Sequence, residues 1–339
     1  MPTDYNARMD IFMACPAPPR SRKGNRVTAV RWAHFLKDLG HRLTIGQEYD
    51  GAAYDLLVAL HARRSFAAAD AFRRRYPDRP LVVALTGTDL YRDIHTSRRA
   101  RRSLDLADRL VALQPRALDE LPPRLRGKVR VIWQSAEPVS RPAPRSRTTF
   151  EVAVLGHLRH EKDPFRTALA LRLLPESLPI RVTHAGEALS PGMAQRAHRA
   201  MERDPRYRWV GELPRWQARR LLARSHLLVL SSRMEGGANV VSEALVDGVP
   251  VLASRIPGSV GMLGARYPGF FPLGDTQALT RLLRRAATDS AFYRRLAEWC
   301  AQLAPRFEPA RERAAWQNLL AELVPASKAP RWQPVGFPA

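Results

Sequence analysis

The chain has 339 residues, enough for two domains with separate cores, and its 45% hydrophobic and 26% charged residues are typical of a globular protein. No apolar stretch approaches the roughly 20 residues of a membrane-spanning helix, so no transmembrane segment is expected. The two cysteines, Cys15 and Cys300, form neither a disulfide framework nor a CxxC motif, and we expect a cytoplasmic protein.

The positive charge of the chain could indicate an anionic partner. The formal net charge is +23, and 50 of the 55 basic residues are arginine, a skew that GC-rich codon usage also produces. The arginine clusters at 73–75 and 98–102 lie on predicted helices, where charge is usually solvated. Because the sequence has no aromatic RNA-binding motif, zinc-finger spacing or helix–turn–helix, no specific nucleic-acid partner is expected. A weak association with a membrane surface stays open.

Short apolar strands alternate with helices through residues 1–136. The predicted strands cover residues 11–14, 42–45, 56–60, 81–85, 109–113 and 129–133. A helix is predicted over residues 27–39, with Gly40 as its C-cap. This alternation is typical of a parallel sheet covered by helices on both faces, so residues 1–136 are predicted to form a Rossmann-like domain.

A proline-rich linker at 137–149 precedes a second alternating series, residues 150–306. Its predicted strands cover residues 150–155, 180–183, 207–210, 227–230 and 249–252, and Asp163-Pro164 is interpreted as the start of a helix. A last helix over 307–324 is followed by a tail, 325–339, that is predicted to be disordered. The predicted fold class is α/β, with two Rossmann-like, doubly wound parallel-sheet domains that face each other across a cleft.

The segment from 226 to 243, HLLVLSSRMEGGANVVSE, predicts a buried strand, a turn with two glycines and a helix. A helix that starts after such a turn binds anions, because its free amides and its dipole both point at the ligand. Glu235 precedes the glycines, and Glu243 lies inside the helix. Carboxylates beside an anion site suit hydroxyl groups, so the pattern indicates a nucleotide diphosphate that carries a sugar.

Two further loops follow predicted strands of the second domain. The loop GHLRHEKD offers Arg159 and Lys162, whose charges would neutralise a diphosphate. The loop VGELP, residues 210–214, follows a later strand. Glu243 could accept the two hydroxyls of a ribose, and Glu235 those of a hexose. A nicotinamide-dinucleotide dehydrogenase is poorly supported, because no G-x-G-x-x-G follows the first strand.

These segments carry a family resemblance. The E-x7-E spacing, the upstream GHLRHEK and the continuation EALVDGVPVLAS together resemble the family 4 glycosyltransferases, which have the GT-B fold. The resemblance implies a UDP-sugar donor and neither a metal nor a cofactor. It also implies that GHLRHEKD is a phosphate loop and that VGELP is a uracil loop. The implied donor-binding residues lie in these loops, in the glycine turn and in the helix that follows it: Gly156, His157, Leu213, Gly236, Gly237, Ala238, Asn239, Val240 and Glu243. Arg159, Lys162 and Glu235 would take part in catalysis.

Two positions depart from the family pattern. His157 stands where the family has an arginine five residues before the lysine, so Arg159 has to supply the second cation. In the first domain the family often has a histidine near the sugar, and Thr86 of the sequence TGTD stands at the matching place. The usual chemistry with a hydroxyl acceptor is therefore in question.

A narrower resemblance concerns the acceptor. GHLRHEKDPFRTALALRLLP, LTGTDLYRDI and RSRKGNRVTAVRWA together look like the selenosugar synthases of selenoneine biosynthesis, which implies selenophosphate as acceptor and a carbon–selenium bond in the product. The predicted acceptor residues are Lys23, Gly24, Asn25, Arg26 and Thr86. A selenium anion is already an ionised nucleophile, so it needs no general base.

Two other functions stay open. A family 4 enzyme could instead transfer the sugar to a hydroxyl of a glycan, a lipid headgroup or a small alcohol. A non-enzymatic protein that binds nucleic acid would show steeply salt-dependent retention on bulk DNA.

Overall fold

The computed structural model describes residues 8–21 and 24–323. It contains two six-stranded, all-parallel sheets. The first sheet consists of β1 (Asp10–Ala14), β2 (Arg42–Gly46), β3 (Leu56–Leu60), β4 (Leu81–Leu85), β5 (Arg109–Ala112) and β6 (Val129–Val131). The second consists of β7 (Phe150–Leu155), β8 (Ile180–Ala185), β9 (Tyr207–Trp209), β10 (Leu227–Leu230), β11 (Val251–Ser254) and β12 (Phe270–Phe271).

Helices cover both faces of each sheet and follow the strands in the expected alternation. In the first half they are α1 (Gly24–Asp38), α2 (Phe66–Arg75), α3 (Ile94–Thr96), α4 (Arg98–Leu106) and α5 (Pro123–Arg126). In the second half they are α6 (Arg166–Leu171), α7 (Pro191–Arg203), α8 (Arg215–Arg224), α9 (Asn239–Val246), α10 (Pro257–Leu263), α11 (Thr276–Thr288), α12 (Ser290–Leu303) and α13 (Pro309–Leu323). The predicted α/β fold class with two doubly wound domains is confirmed.

The central strands form where the sequence has unbroken apolar runs. Every residue of β3 and of β4 is buried, because helices pack on both faces of the parallel sheet. β3, β4, β7 and β10 begin and end at the residues that the apolar runs predict. The two-residue strand β12 is missing from the sequence prediction, because two phenylalanines give no periodic signal.

Strand order fixes where a ligand can bind. The first sheet has the order β2-β1-β3-β4-β5-β6, and the second has the order β12-β11-β10-β7-β8-β9. In the first sheet the chain adds strands on one side of β1 and then on the other, so the strand order reverses between β1 and β3. In the second sheet it reverses between β7 and β10. The loops after such neighbouring strands diverge to opposite faces and leave a crevice at their carboxyl ends. In the second domain, these are the loops that hold Lys162 and Glu235.

The C-terminal helix α13 packs against the first domain. Trp316, Leu319 and Leu320 belong to the same buried cluster as Trp32 of α1, and the two tryptophan rings lie 4.8 Å apart in an edge-to-face arrangement. The chain therefore closes by returning to the domain in which it begins.

The helix predicted over 27–39 begins three residues earlier, at Gly24, and the start of α6 was predicted wrongly. Asp163 does not cap a helix with Pro164 as its first residue; it has a left-handed backbone (φ +43°) and ends the short 3-10 turn His160–Lys162. α6 begins only at Arg166, whose Nε donates to the Asp163 carboxylate at 2.8 Å. The extra turn bends the phosphate loop toward β10 before the helix can start.

Lys23 and the predicted tail at 325–339 lie outside the described residues. Within residues 8–21 and 24–323, no helix combines the length and the apolarity that a bilayer span requires.

Candidate active site

A cavity of about 1090 Å³ separates the two domains. Its first-domain wall is the face of α1 that carries Arg26, Val27 and Arg31. Its second-domain wall is formed by the loops after β7 and β9 and the first turns of α9. Eight of the predicted site residues line it: Gly24, Arg26, Gly156, His157, Leu213, Asn239, Val240 and Glu243. The other predicted residues that the structure describes do not line this cavity: Asn25 lies in α1, and Thr86, Arg159, Lys162, Glu235, Gly236, Gly237 and Ala238 lie outside the α-helices and strands.

The loop after β10, residues 231–238, is held against the loop after β7. Ser231 Oγ donates to the carbonyl oxygen of Asp163 at 2.9 Å, and Arg233 N donates to that of Glu161 at 2.8 Å. The two loops come from the neighbouring strands at which the chain reverses direction. The hydrogen bonds therefore turn this crevice into one structural unit, which we call the donor crevice.

Lys162 and Glu235 form an ion pair inside the donor crevice. Lys162 Nζ lies 2.5 Å from Glu235 Oε1, and Ser232 Oγ donates to the same oxygen at 2.6 Å. Both charged side chains are largely buried, with exposed fractions of 21% and 11%. Their positions are set by each other and by the serine, so the ammonium group is held at the mouth of the glycine turn.

The start of α9 offers free backbone amides next to the donor crevice. Ala238 precedes the helix and no side chain caps its N-terminus, so the first amides, including those of Asn239 and Val240, remain available to a ligand. In the phosphate loop, the buried Nε of Arg159 has no hydrogen-bond partner among the residues that the structure describes. A buried donor without a partner is costly, which fits a loop that binds an anion.

Glu243 projects from α9 into the cleft and is 13% exposed. Arg215 Nη2 lies 3.2 Å from its Oε1. Burial raises the pKa of Glu243 above its ordinary value, against the opposing effect of three arginines, of which Arg219 acts most strongly. The arrangement provides a partly desolvated carboxylate that can accept hydrogen bonds from hydroxyl groups of a ligand.

His157 does not replace the missing arginine. Burial lowers the pKa of its imidazole below the ordinary value, which keeps it neutral near pH 7, and its Nδ1 accepts a hydrogen bond from Glu187 N at 3.2 Å. His157, Glu187 and Glu212 could together hold a cation, since their ligand atoms lie within 4.8 Å of one another. Both glutamates are exposed, however, and such acidic groups are common without a metal.

The first domain reaches the donor crevice through the TGTD loop. A Cβ atom on Gly236 would lie 2.6 Å from the carbonyl carbon of Thr86, so the backbones of the two domains are in contact there. On Gly237 it would lie 2.5 Å from the Cβ atom of Leu113. Only glycine fits these two positions, which is a second reason for the glycine pair besides its open amides. Thr86 thus lies beside the turn that is predicted to orient the sugar.

Asp89 organises the TGTD loop and was missed by the sequence analysis. Its buried carboxylate accepts hydrogen bonds from Thr86 N at 2.9 Å, Gly87 N at 2.8 Å and Ala62 N at 2.9 Å. An aspartate two residues after a glycine suggests a turn in which it accepts such bonds. Its contact with Ala62 depends on the fold, and the sequence gives no signal for it.

The predicted acceptor residues are less enclosed. Gly24 is exposed at the start of α1, whereas Asn25 and Arg26 are partly buried. Arg26 lines the cleft, and its buried Nε has no hydrogen-bond partner among the described residues. Asn25 does not line the cavity; its carbonyl oxygen lies 3.7 Å from Cys15 Sγ. The structure therefore brings Arg26, but not Asn25, toward the second domain.

Comparison with known proteins identifies the domain and the fold. Residues 138–300 match the family model for glycosyl transferases group 1. HepE of Anabaena, solved in complex with UDP and glucose, is similar with a TM-score of 0.74 and 17% identity, over 93% of this chain and 100% of that chain. Sucrose-phosphate synthase from Thermosynechococcus elongatus gives a TM-score of 0.77 at 13% identity, over 94% and 99%. A glycosyltransferase from Rickettsia africae gives 0.70 at 12%, also over 94% and 99%. At these identities the solved structures establish the GT-B fold alone.

Proposed function

We propose a donor and an acceptor for this glycosyltransferase. Its residues 138–300 match the family model for glycosyl transferases group 1. The donor is a UDP-sugar with a hexose of the glucose or N-acetylglucosamine type. The acceptor is selenophosphate, and the product contains a carbon–selenium bond. The observation that carries the donor assignment is the donor crevice, in which a cation, a carboxylate and free helix amides meet.

The donor assignment follows from what each group can bind. The amides at the start of α9 and the cations of the phosphate loop suit a diphosphate, and the Glu243 carboxylate suits the two hydroxyls of a ribose. Leu213 would hold uracil through its backbone. HepE has been solved with UDP and with UDP-glucose, and its shared fold supports the same class of donor here.

Catalysis requires stabilisation of the leaving group. A lone pair on selenium attacks the anomeric carbon, the bond from that carbon to the diphosphate oxygen breaks, and its electron pair leaves with UDP. Negative charge grows on the diphosphate in this step. Lys162 and the α9 amides are fixed before the reaction, so they stabilise that charge without rearranging, and Arg159 adds a second cation. The phosphate group stays on selenium in the immediate product.

The acceptor assignment draws on the acceptor face. Thr86, beside the donor turn, offers a hydroxyl where the family often has an imidazole, and a hydroxyl is not a general base near neutral pH. An ionised selenium nucleophile needs no base. Arg26 lies at the edge of the cleft, and its Nε, which has no hydrogen-bond partner in the described part of the chain, suits a small anion. The narrow resemblance to selenosugar synthases points the same way.

A second candidate is a transferase of the same group that uses a hydroxyl acceptor. The interdomain cavity of about 1090 Å³ favours it, because that volume would admit an organic acceptor together with the donor. The two candidates share the donor site and differ only in what the first domain binds.

The test incubates the protein with selenophosphate and either UDP-glucose or UDP-N-acetylglucosamine, and follows UDP release together with selenium-containing sugars by mass spectrometry. Parallel reactions contain thiophosphate, inorganic phosphate or a panel of alcohols, and a Glu243→Ala variant serves as the site control. We expect a product with the selenium isotope pattern from one of the two donors. Turnover with alcohols alone would replace the selenophosphate assignment by the second candidate.

A further inference from the structure

A buried polar network lies where α1, α13 and residues 132–136 meet. Its centre is Glu312 of α13, whose side chain is fully buried. One carboxylate oxygen accepts a hydrogen bond from Trp32 Nε1 at 2.6 Å, and the other accepts from Ser135 N at 2.7 Å. Arg31 Nε lies 3.0 Å from the second oxygen and neutralises the buried charge.

Arg31 also reaches the donor crevice. It lies in the middle of α1, in the first domain, and is 11% exposed. Its Nη1 donates to Asn239 Oδ1 at 3.0 Å. Asn239 is the first residue of α9, whose amides form the predicted diphosphate site. A side chain of the acceptor-side domain therefore holds the start of the donor-binding helix.

Gln134 makes a second connection from the same network. Both the oxygen and the nitrogen of its buried side-chain amide have hydrogen-bond partners in one orientation. The oxygen then accepts from Thr28 Oγ1 at 2.5 Å and from Arg31 Nη2 at 3.2 Å. In that orientation the amide nitrogen donates to the carbonyl oxygen of Gly237 at 2.7 Å. The donor turn is thus tethered at Gly237 and Asn239 to one buried cluster.

The geometry needs a guanidinium group. Arg31 forms an ion pair with Glu312 through Nε, which makes no hydrogen bond within the described residues, while Nη1 donates to Asn239 and Nη2 donates to the reoriented Gln134 amide. An ammonium group could neutralise Glu312 but would not reach all three partners, because it is a single point on a flexible stem. Arg31→Lys therefore keeps the positive charge beside Glu312 but loses the simultaneous contacts, so it separates the effect of the charge from that of the contacts.

We propose that Arg31 is a positioning residue for the glycosyl transfer, acting through Asn239 and Gly237 on the amides that receive the departing diphosphate. This inference rests on the proposed donor function. Displacement of these amides by a fraction of an ångström weakens their contact with the transition state more than with bound UDP, because Glu243 and the uracil loop still hold the nucleotide.

The kinetic test is a double-mutant cycle of Arg31→Lys and Asn239→Ala. We expect Arg31→Lys to lower kcat about 30-fold while the Kd for UDP changes less than about threefold. Because Arg31 acts partly through Asn239 and partly through Gly237, Arg31→Lys should lower kcat less than about tenfold further in the Asn239→Ala background. Lys37→Gln removes a charge from an exposed position of α1 and should leave kcat unchanged. Wild-type kcat in Arg31→Lys, or multiplicative losses in the double variant, would overturn the inference.

A second readout does not depend on turnover. Hydrogen exchange of the unliganded protein should be about tenfold faster over residues 235–242 in Arg31→Lys than in the wild type, with the rest of the second domain unchanged. Unchanged exchange there would overturn the inference. UDP binding by the wild type is measured separately, so that a failed donor assignment is not mistaken for a failed role of Arg31.

Discussion

The two walls of the cleft are built differently. On the donor side, hydrogen bonds join two loops, and Lys162, Glu235 and Ser232 fix one another in place. On the predicted acceptor side, Arg26 lines the cleft with a buried Nε that has no hydrogen-bond partner within residues 8–21 and 24–323, and Gly24 is exposed. The donor class can therefore be inferred from the geometry of an enclosed site. The acceptor has to be inferred from the charge of the first-domain wall and from the family resemblance of the sequence.

The largest effect is expected for Lys162→Ala, which changes the donor crevice. We expect kcat to fall by about 10²- to 10³-fold, since the variant removes a fixed cation from the departing diphosphate and leaves Glu235 unpaired. The Kd for UDP should rise far less. Lys37→Ala, on the exposed end of α1, is the matched control. Near-normal turnover of Lys162→Ala would remove this lysine from the mechanism.

Glu243→Ala should weaken UDP binding about 30-fold, which corresponds to about 2 kcal/mol for hydrogen bonds to a charged acceptor. Titration calorimetry with UDP, and with UMP or uridine for comparison, measures the loss. The same variant should lose little affinity for inorganic pyrophosphate, because Glu243 lies inside α9 and is predicted to contact the ribose. Equal losses for UDP and pyrophosphate would place the carboxylate elsewhere.

Arg26→Ala probes the acceptor wall. We expect the KM for selenophosphate to rise about tenfold, while UDP binding stays within about twofold, because Arg26 belongs to the first domain. Lys37→Ala, at an exposed position of α1 that does not line the cavity, serves as the control for loss of positive charge. If UDP binding fell together with selenophosphate turnover, the division of the cleft into two walls would be wrong.

The pH dependence of UDP binding gives the smallest expected effect. We propose that the ionised form of Glu243 accepts the ribose hydroxyls, and burial raises the pKa of this carboxyl group. UDP affinity should therefore fall severalfold on acidification, and the fall should begin at a higher pH than for an ordinary carboxyl group. The folding stability of the unliganded protein should depend on pH in the opposite sense. Protonation of Glu243 adds stability that is complete below the pKa of this group in the unfolded chain and is lost as the pH rises through its raised pKa in the folded protein.

Glu243→Gln should remove both effects, because the amide does not titrate. Calorimetry and thermal unfolding across the acidic range measure them in the two proteins. An unchanged pH profile in Glu243→Gln would assign the titration to another group.

Much of the fold could be predicted from local sequence. The apolar stretches of β3, β4, β7 and β10 predicted their bounds, and the segment from 226 to 243 predicted the strand, glycine turn and helix that the structure contains. These signals are local, since burial on both faces of a parallel strand leaves an unbroken apolar run.

The parts that could not be predicted depend on distant residues. Glu312 accepts hydrogen bonds from Trp32 and Ser135, which precede it by 280 and 177 positions. Arg31 and Asn239 are 208 positions apart. The start of α6 was misplaced for a related reason, because Asp163 adopts a left-handed turn in the loop that is held against β10. No periodicity or capping rule reports such contacts.

The most direct test of the account is a calorimetric titration of the wild-type protein with UDP, paired with thermal unfolding in the same buffer. The donor crevice predicts one saturable site, and at 100 times the Kd it predicts a stabilisation of about 2.7 kcal/mol and a higher Tm. Both signals should be strongly reduced in Glu243→Ala. A wild-type protein that shows neither heat of binding nor a shift in Tm with UDP would contradict the account.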